Sequence, residues 1–135
     1  MEKNQLFGTL DALPNDGIYP EGIIKKVVFG PKHFAPEENF VVRCYMFGPG
    51  KGPTVTHEHP WCHWAIVQRG EATVNIDGVL QKVPAGSWFH VPGSIPHTVY
   101  NQSPTEEMAF LCIVRPEGDT NPPPPTPSEE DKSFC

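Results

Sequence analysis

His57-Glu58-His59-Pro60-Trp61-Cys62-His63 places three imidazoles within seven residues, and His97 follows the turn Pro92-Gly93-Ser94-Ile95-Pro96. On a strand, alternate side chains share a face roughly 6–7 Å apart, so His57 and His59 point one way and Glu58 the other. Pro60 cannot donate to a ladder and marks a bend. Past it, His63, Ala65 and Val67 share the face of a new strand, and His97 opens a later one. Neighbouring segments thus each present imidazole towards one point. Neutral imidazole is a ligand for zinc, manganese, iron, copper and nickel, so the four together make a cation cage.

The rest of the chain is consistent with strands. Seventeen prolines and twelve glycines in 135 residues leave no room for long helices. Between them lie short runs rich in β-branched and aromatic residues, which predict an all-β sandwich or barrel. The expected strands are Ile23–Phe29, Phe40–Phe47, Thr54–His59, His63–Arg69, Ala72–Ile76, Leu80–Val83, Ser87–Val91, Thr98–Asn101 and Met108–Val114. Asp77-Gly78 reads as a two-residue hairpin turn, because both positions tolerate positive φ. Arg69-Gly70-Glu71 reads as a second tight reversal. The expected organisation is an N-terminal arm (1–22), one barrel (23–117) and a Pro-rich, disordered tail (118–135). Leu6, Phe7, Leu10 and Leu13 give the arm an apolar side to lay on the barrel or on a neighbouring subunit.

Composition excludes several partner classes. Net charge is -6 with no basic run, against nucleic acid and anionic membranes. No apolar stretch reaches the ~20 residues of a membrane span and no signal peptide opens the chain, which predicts a cytoplasmic protein. Cys44, Cys62, Cys112 and Cys135 are widely spaced without a C-x-x-C pair, so reduced, buried thiols are expected rather than a disulfide framework. The helical zinc-protease pattern H-E-x-x-H fails, since Trp61 stands where its second histidine belongs and Pro60 would break the helix. His33, in a loop, and His90, on a strand, read as structural.

These motifs resemble those of the cupin superfamily. Its first motif, roughly G-x5-H-x-H-x3,4-E-x6-G, is matched by Gly52, His57, His59, His63 and Gly70. Its second, G-x5-P-x-G-x2-H-x3-N, is matched by Gly86, Pro92, Ser94, His97 and Asn101. Ser94 replaces a glycine, which should alter only a turn. His63 replaces the usual glutamate, and this removes a negative charge from the ligand set. A divalent ion would then act as a stronger Lewis acid towards an anionic ligand or hydroperoxide. Within the superfamily the chain is similar to small four-histidine, manganese-binding monocupins from thermophilic bacteria. The shared runs are Lys26-Val27-Val28-Phe29-Gly30, His57-x-His59-Pro60-Trp61-x-His63 and Phe110-Leu111-Cys112-Ile113. That resemblance implies a double-stranded β-helix (jelly-roll) barrel, a homodimer, and manganese held by His57, His59, His63 and His97, with iron, nickel or zinc as alternatives. It also implies oxidative cleavage of a small organic molecule and a cavity above the metal lined by Arg43, Phe110 and Cys112.

Strand parity agrees with that lining: Phe110, Cys112 and Val114 share a face, as do Arg43 and Tyr45. Arg43 on an apolar strand must either bind an anionic substrate or pair with a carboxylate. Cys62, Trp64 and Ile66 make the other face of the His63 strand apolar too, which calls for a second layer. The residues show no nucleophilic triad, so the chemistry would belong to a metal-dependent oxygenase acting on a small molecule. A non-catalytic small-molecule or metal-binding barrel and a metal-assisted sugar or uronate isomerase are the other two readings.

Overall fold

The computed structural model describes residues 6–33 and 36–119. Eight strands run in chain order: β1 (Ile23–Phe29), β2 (Val41–Phe47), β3 (His63–Arg69), β4 (Glu71–Ile76), β5 (Val79–Pro84), β6 (Trp88–Val91), β7 (His97–Tyr100) and β8 (Met108–Val114). They form a five-stranded sheet in the order β1-β2-β8-β3-β6 and a three-stranded sheet in the order β5-β4-β7. All the pairings are antiparallel.

Turn chemistry explains the corners. Asp77 and Gly78 both take positive φ, 52° and 82°, and Ile76 pairs with Val79 across them. That is the two-residue hairpin expected of an Asp-Gly pair. Gly70, at φ 69°, carries the chain from β3 in one sheet to β4 in the other. A Cβ there would collide with the backbone of Glu107, so glycine is required for space as well as for conformation.

The inward faces meet in one apolar core. Phe47, Ala65, Val67, Val74, Phe89, Val91, Val99, Met108, Phe110 and Cys112 are among its members. β3 reads buried at His63, Ala65 and Val67 and open at Trp64, Ile66 and Gln68, as its alternation predicts. Asn101 is buried just past β7. Its side-chain amide donates to the carbonyls of Phe47, Gly48 and Glu106 at 3.2, 2.9 and 2.8 Å. A buried amide satisfied in this way ties the β7–β8 loop to the β2–β3 loop at one end of the barrel.

Three expectations need correction. Thr54–His59 is not a ladder strand. It is pinned at two points beside β7: Thr54 N–H donates to Val99 O, and His57 forms an isolated bridge with His97. Prolines at 53 and 60 bracket the segment and limit its pairing. Cys62 is disulfide-bonded rather than a reduced thiol, while Cys44 and Cys112 are free and buried as expected. Gly118 and Asp119, assigned to the tail by composition, lie on the barrel. Pro116–Gly118 forms a 3-10 turn, Gly118 is buried, and Asp119 reaches back to the barrel. The remainder, 120–135, lies outside the described residues.

The arm lies against the barrel. Leu10 packs on a small outer cluster of Cys44, Met46 and Ala109. Asn15 bridges Lys26, and Lys26 Nζ donates to the carbonyls of Leu10 and Asp11 at 3.2 and 2.7 Å.

A candidate metal centre in an aromatic cavity

The barrel encloses a cavity of about 770 Å³, and His57, His59, His63 and His97 all line it. They are delivered by three chain segments. His97 opens β7 and His63 opens β3, while His57 and His59 sit on the segment held beside β7. Ser94 takes φ 61° and its N–H donates to His59 O at 2.6 Å. The glycine-like turn of the second motif is thus retained by serine, and it clamps the two histidine segments together. Glu58 is exposed and stands outside the cavity wall, as its parity predicts.

One ligand atom each of His57, His59 and His97 lies within 4.8 Å of the others. His97 Nδ1 is 2.9 Å from Ile95 O and must donate to it, which leaves Nε2 as a lone-pair donor. His59 stacks on Trp61 with ring centroids 4.9 Å apart and planes 8° apart, so the imidazole is held flat against an indole wall.

His63 adjoins this group but stands outside the tight triad. Its ring is 4.4 Å from His59 and 5.6 Å from His97. Arg43 Nη2 donates to His63 Nδ1 at 3.1 Å. Because a guanidinium can only donate, Nδ1 must accept, and the proton sits on Nε2. From there it is donated to His59 Nδ1, 3.2 Å away.

The two possible partners of Arg43 are resolved in part. Its nearest carboxylate is Asp119, at 3.7 Å from Nη1, and its Nη2 also donates to Cys112 Sγ at 3.1 Å. Burial works against the Arg43 charge, but Cys112, Tyr45 and Asp119 outweigh it and hold the guanidinium above its ordinary pKa. Arg43, Phe110 and Cys112 all line the cavity. The sheet register explains why: Arg43 pairs with Cys112 and Tyr45 with Phe110 across β2 and β8, and Ala65 continues the first row onto β3. His90 stacks instead on Trp64 and is not part of the cavity lining.

Burial sets the protonation of the cage. It lowers the pKa of His57, with Arg43 adding to the effect, and lowers that of His97 against the bond to Ile95. It pushes His59 down to about 3, helped by His97 and His57, and His63 well below the usual range, helped by Arg43. All four are therefore neutral near pH 7, the state that binds metal. In the metal-free protein the sign of the linkage follows. The unfolded histidines take up protons below pH about 6.5 while the folded ones do not, so stability is complete above that pH and falls as pH drops. Each histidine contributes up to about 1.4 kcal/mol per pH unit in the interval between its two pKa values. We expect urea midpoints of chelator-treated protein to fall between pH 7.5 and 4.5, and to fall less steeply for His59→Asn. Equal slopes for the two proteins would contradict the burial of His59.

Sequence reading passed over several contributors. Lys25 is buried within β1, with Nζ 3.1 Å from Asp16 and 2.7 Å from Asp119. Residues 17–21 of the arm close one side of the cavity, with Tyr19 set edge-on to Tyr45 at 5.9 Å. A lysine at an interior position of an apolar strand was the available signal; the partners were too distant in sequence to find.

An antiparallel two-sheet barrel with histidines on its inner face is the arrangement expected of the resemblance drawn above. A family model described as "Cupin domain" matches residues 44–114, more than half of the chain. The chain belongs to the cupin family. No curated protein matches it. Among solved structures, this cupin is similar to an RmlC-like cupin from Shewanella frigidimarina, with 22% identity over 86% of this chain and 95% of that one and a TM-score of 0.65. It is similar to a cupin-2 domain protein from Rhodospirillum rubrum, at 18% identity, 97% and 86% coverage and a TM-score of 0.69. It is also similar to the polyketide cyclase RemF from Streptomyces resistomycificus, at 20% identity, 93% and 88% coverage and a TM-score of 0.69. At these identities the likeness shows the cupin fold. No helix among the described residues of this cupin is long and apolar enough to cross a membrane.

Proposed function

We propose that the protein is a metal-dependent cupin that holds a divalent transition ion, manganese first with iron, nickel or zinc as alternatives, and oxidatively transforms a small organic molecule. The observation that carries the reading is the triad His57, His59 and His97, with ligand atoms within 4.8 Å of one another in a cavity that keeps all three neutral. The donor set fits such an ion: three imidazoles, one with its tautomer fixed by Ile95, and a fourth imidazole alongside. When bound, the ion would supply a Lewis acid and, for manganese or iron, a redox couple.

The protein's own groups would do the rest. His63 is the fourth ligand in this reading. To join through Nε2 it must give up the proton now donated to His59 and carry one on Nδ1, where Cys112 Sγ lies 3.2 Å away as acceptor. Arg43 then stays with Cys112 and Asp119. The aromatic wall would limit water at the reacting centre. Elemental analysis of protein purified without added metal should return about one transition ion per chain, and the loaded protein should consume oxygen or peroxide only with substrate present. Metal-free protein from that preparation would overturn the reading.

A homodimer is part of the same proposal. Trp64, Ile66 and Trp88 are 42%, 47% and 73% exposed on the outer face of β3 and β6, and Ile66 pairs with Trp88. Leu10 covers the other end of that sheet. A second copy placed on the open end would bury the three residues and supply the missing layer. Light scattering should give twice the chain mass, and Trp64→Glu with Ile66→Glu should give a monomer with unchanged metal content. A monomeric parent protein would remove the dimer from the proposal.

A further inference from the structure

We infer that the cavity takes an aromatic molecule bearing one hydrogen-bond-accepting oxygen, of the aryl ketone type, rather than a sugar or uronate. The inference rests on the cavity being the substrate site of the proposed metal centre, and it draws on the wall instead of the histidines. Five rings form a continuous surface there. Phe110 stacks on Tyr45 at 5.3 Å and lies 6.0 Å from Phe47 and 5.7 Å from Phe89, and Tyr19 closes the edge of Tyr45. Ile23, Val91 and Val99 fill in between them. Such a surface is matched by a flat ring system, which can add offset and edge contacts to the existing ones.

Apart from the charged Glu21 and Lys51, which also line the cavity, the polar groups on that wall are largely engaged within the protein. Tyr45 and Tyr19 hydrogen-bond to each other. Thr54 Oγ1 accepts from Val99 N–H at 3.0 Å. The charge of Arg43 faces Asp119, with Cys112 and His63 on its Nη2. A sugar would bring several hydroxyls into this wall, and each one left without a partner costs about tenfold in affinity. A polyhydroxylated ligand is therefore a poor match.

Among the described residues that line the cavity, two buried donors are without a partner, Arg43 Nε and Trp61 Nε1. Both belong to side chains that line the cavity, and each nitrogen is itself covered, so a ligand oxygen meets it only once the side chain turns. Both can only donate, so they call for an acceptor oxygen. Trp61 also lies flat on His59, which puts this polar corner beside the candidate metal ligands. Rings on one side and donors next to the histidines together orient the ligand: ring system towards Phe110, oxygen towards the histidines.

The test uses the full chain, stripped of metal by chelator, with calorimetric titration of three probes: 2-acetonaphthone, naphthalene and galacturonate. We expect 2-acetonaphthone to bind once per chain, naphthalene to bind about tenfold more weakly, and galacturonate to give no saturable heat. Phe110→Leu keeps an apolar side chain and removes the central ring, and should weaken both aromatic probes about threefold or more. Trp61→Phe keeps the stack on His59 and removes the donor, and should shrink the advantage of the ketone over naphthalene. Galacturonate binding as tightly as the ketone, no ketone binding, or ketone binding unchanged in Phe110→Leu would each overturn the inference. An unchanged ketone-to-naphthalene ratio in Trp61→Phe would overturn its oxygen half. A protein that holds metal but not the ketone refutes this inference alone. One that binds the ketone but never a metal refutes the function proposed above.

Discussion

His59→Ala and His97→Ala are each expected to strip the protein of its transition metal. Both side chains belong to the triad whose ligand atoms lie within 4.8 Å, and each is held by a partner of its own, Trp61 or Ile95. Loss of an outer hydrogen-bond partner alone costs a site about 10–100-fold in metal affinity, so loss of a ligand should exceed that. The measurement is metal content by elemental analysis, with circular dichroism to show that the barrel remains folded. His63 gives a graded comparison. His63→Ala should weaken binding less than either triad substitution and should change the manganese electron paramagnetic resonance spectrum. His63→Glu restores the carboxylate usual in the superfamily motif and should tighten binding, because it returns a negative charge beside a divalent ion. If His63→Ala leaves metal content, spectrum and turnover unchanged, His63 is not a ligand.

The second large effect concerns Lys25. Its side chain is fully buried, and Asp119 Oδ1 lies 2.7 Å from Nζ and 3.7 Å from Arg43 Nη1. Removing one member of a buried ionic group leaves the others desolvated and unbalanced, which costs about 3–5 kcal/mol. Asp16 is 45% exposed and can turn to water, so the loss should fall at the lower end. Lys25→Met is therefore expected to destabilise by about 3 kcal/mol and lower Tm by about 10 °C. Asp119→Asn in the same chain should deepen that loss, since buried Arg43 then loses its carboxylate as well. A Lys25→Met protein with the parent Tm would show that the Lys25–Asp119 pair ties nothing down.

The two outcomes also bear on how much of this protein is legible from its residues. Alternation on β3, from His63 to Gln68, and the Asp77-Gly78 turn are local signals, and both elements form where those signals put them. Thr54–His59 has the same composition as a strand yet makes only two anchor points with β7, because ladder formation depends on what lies alongside. Asp119 reads as tail by composition but is drawn to the barrel by Lys25 and Arg43.

The sequence by itself determined the all-β class, the cupin motifs and the four candidate histidines, since hydrophobic period, turn residues and motif spacing are properties of neighbouring positions. Tertiary structure alone decided which histidines close on one another, which proton His63 carries, and what shares the cavity with them. Arg43, Cys112 and His63 come from three strands, and Asp119 from beyond the last of them. Their meeting depends on sheet order and register, and those are settled by packing across the whole barrel rather than by any local run.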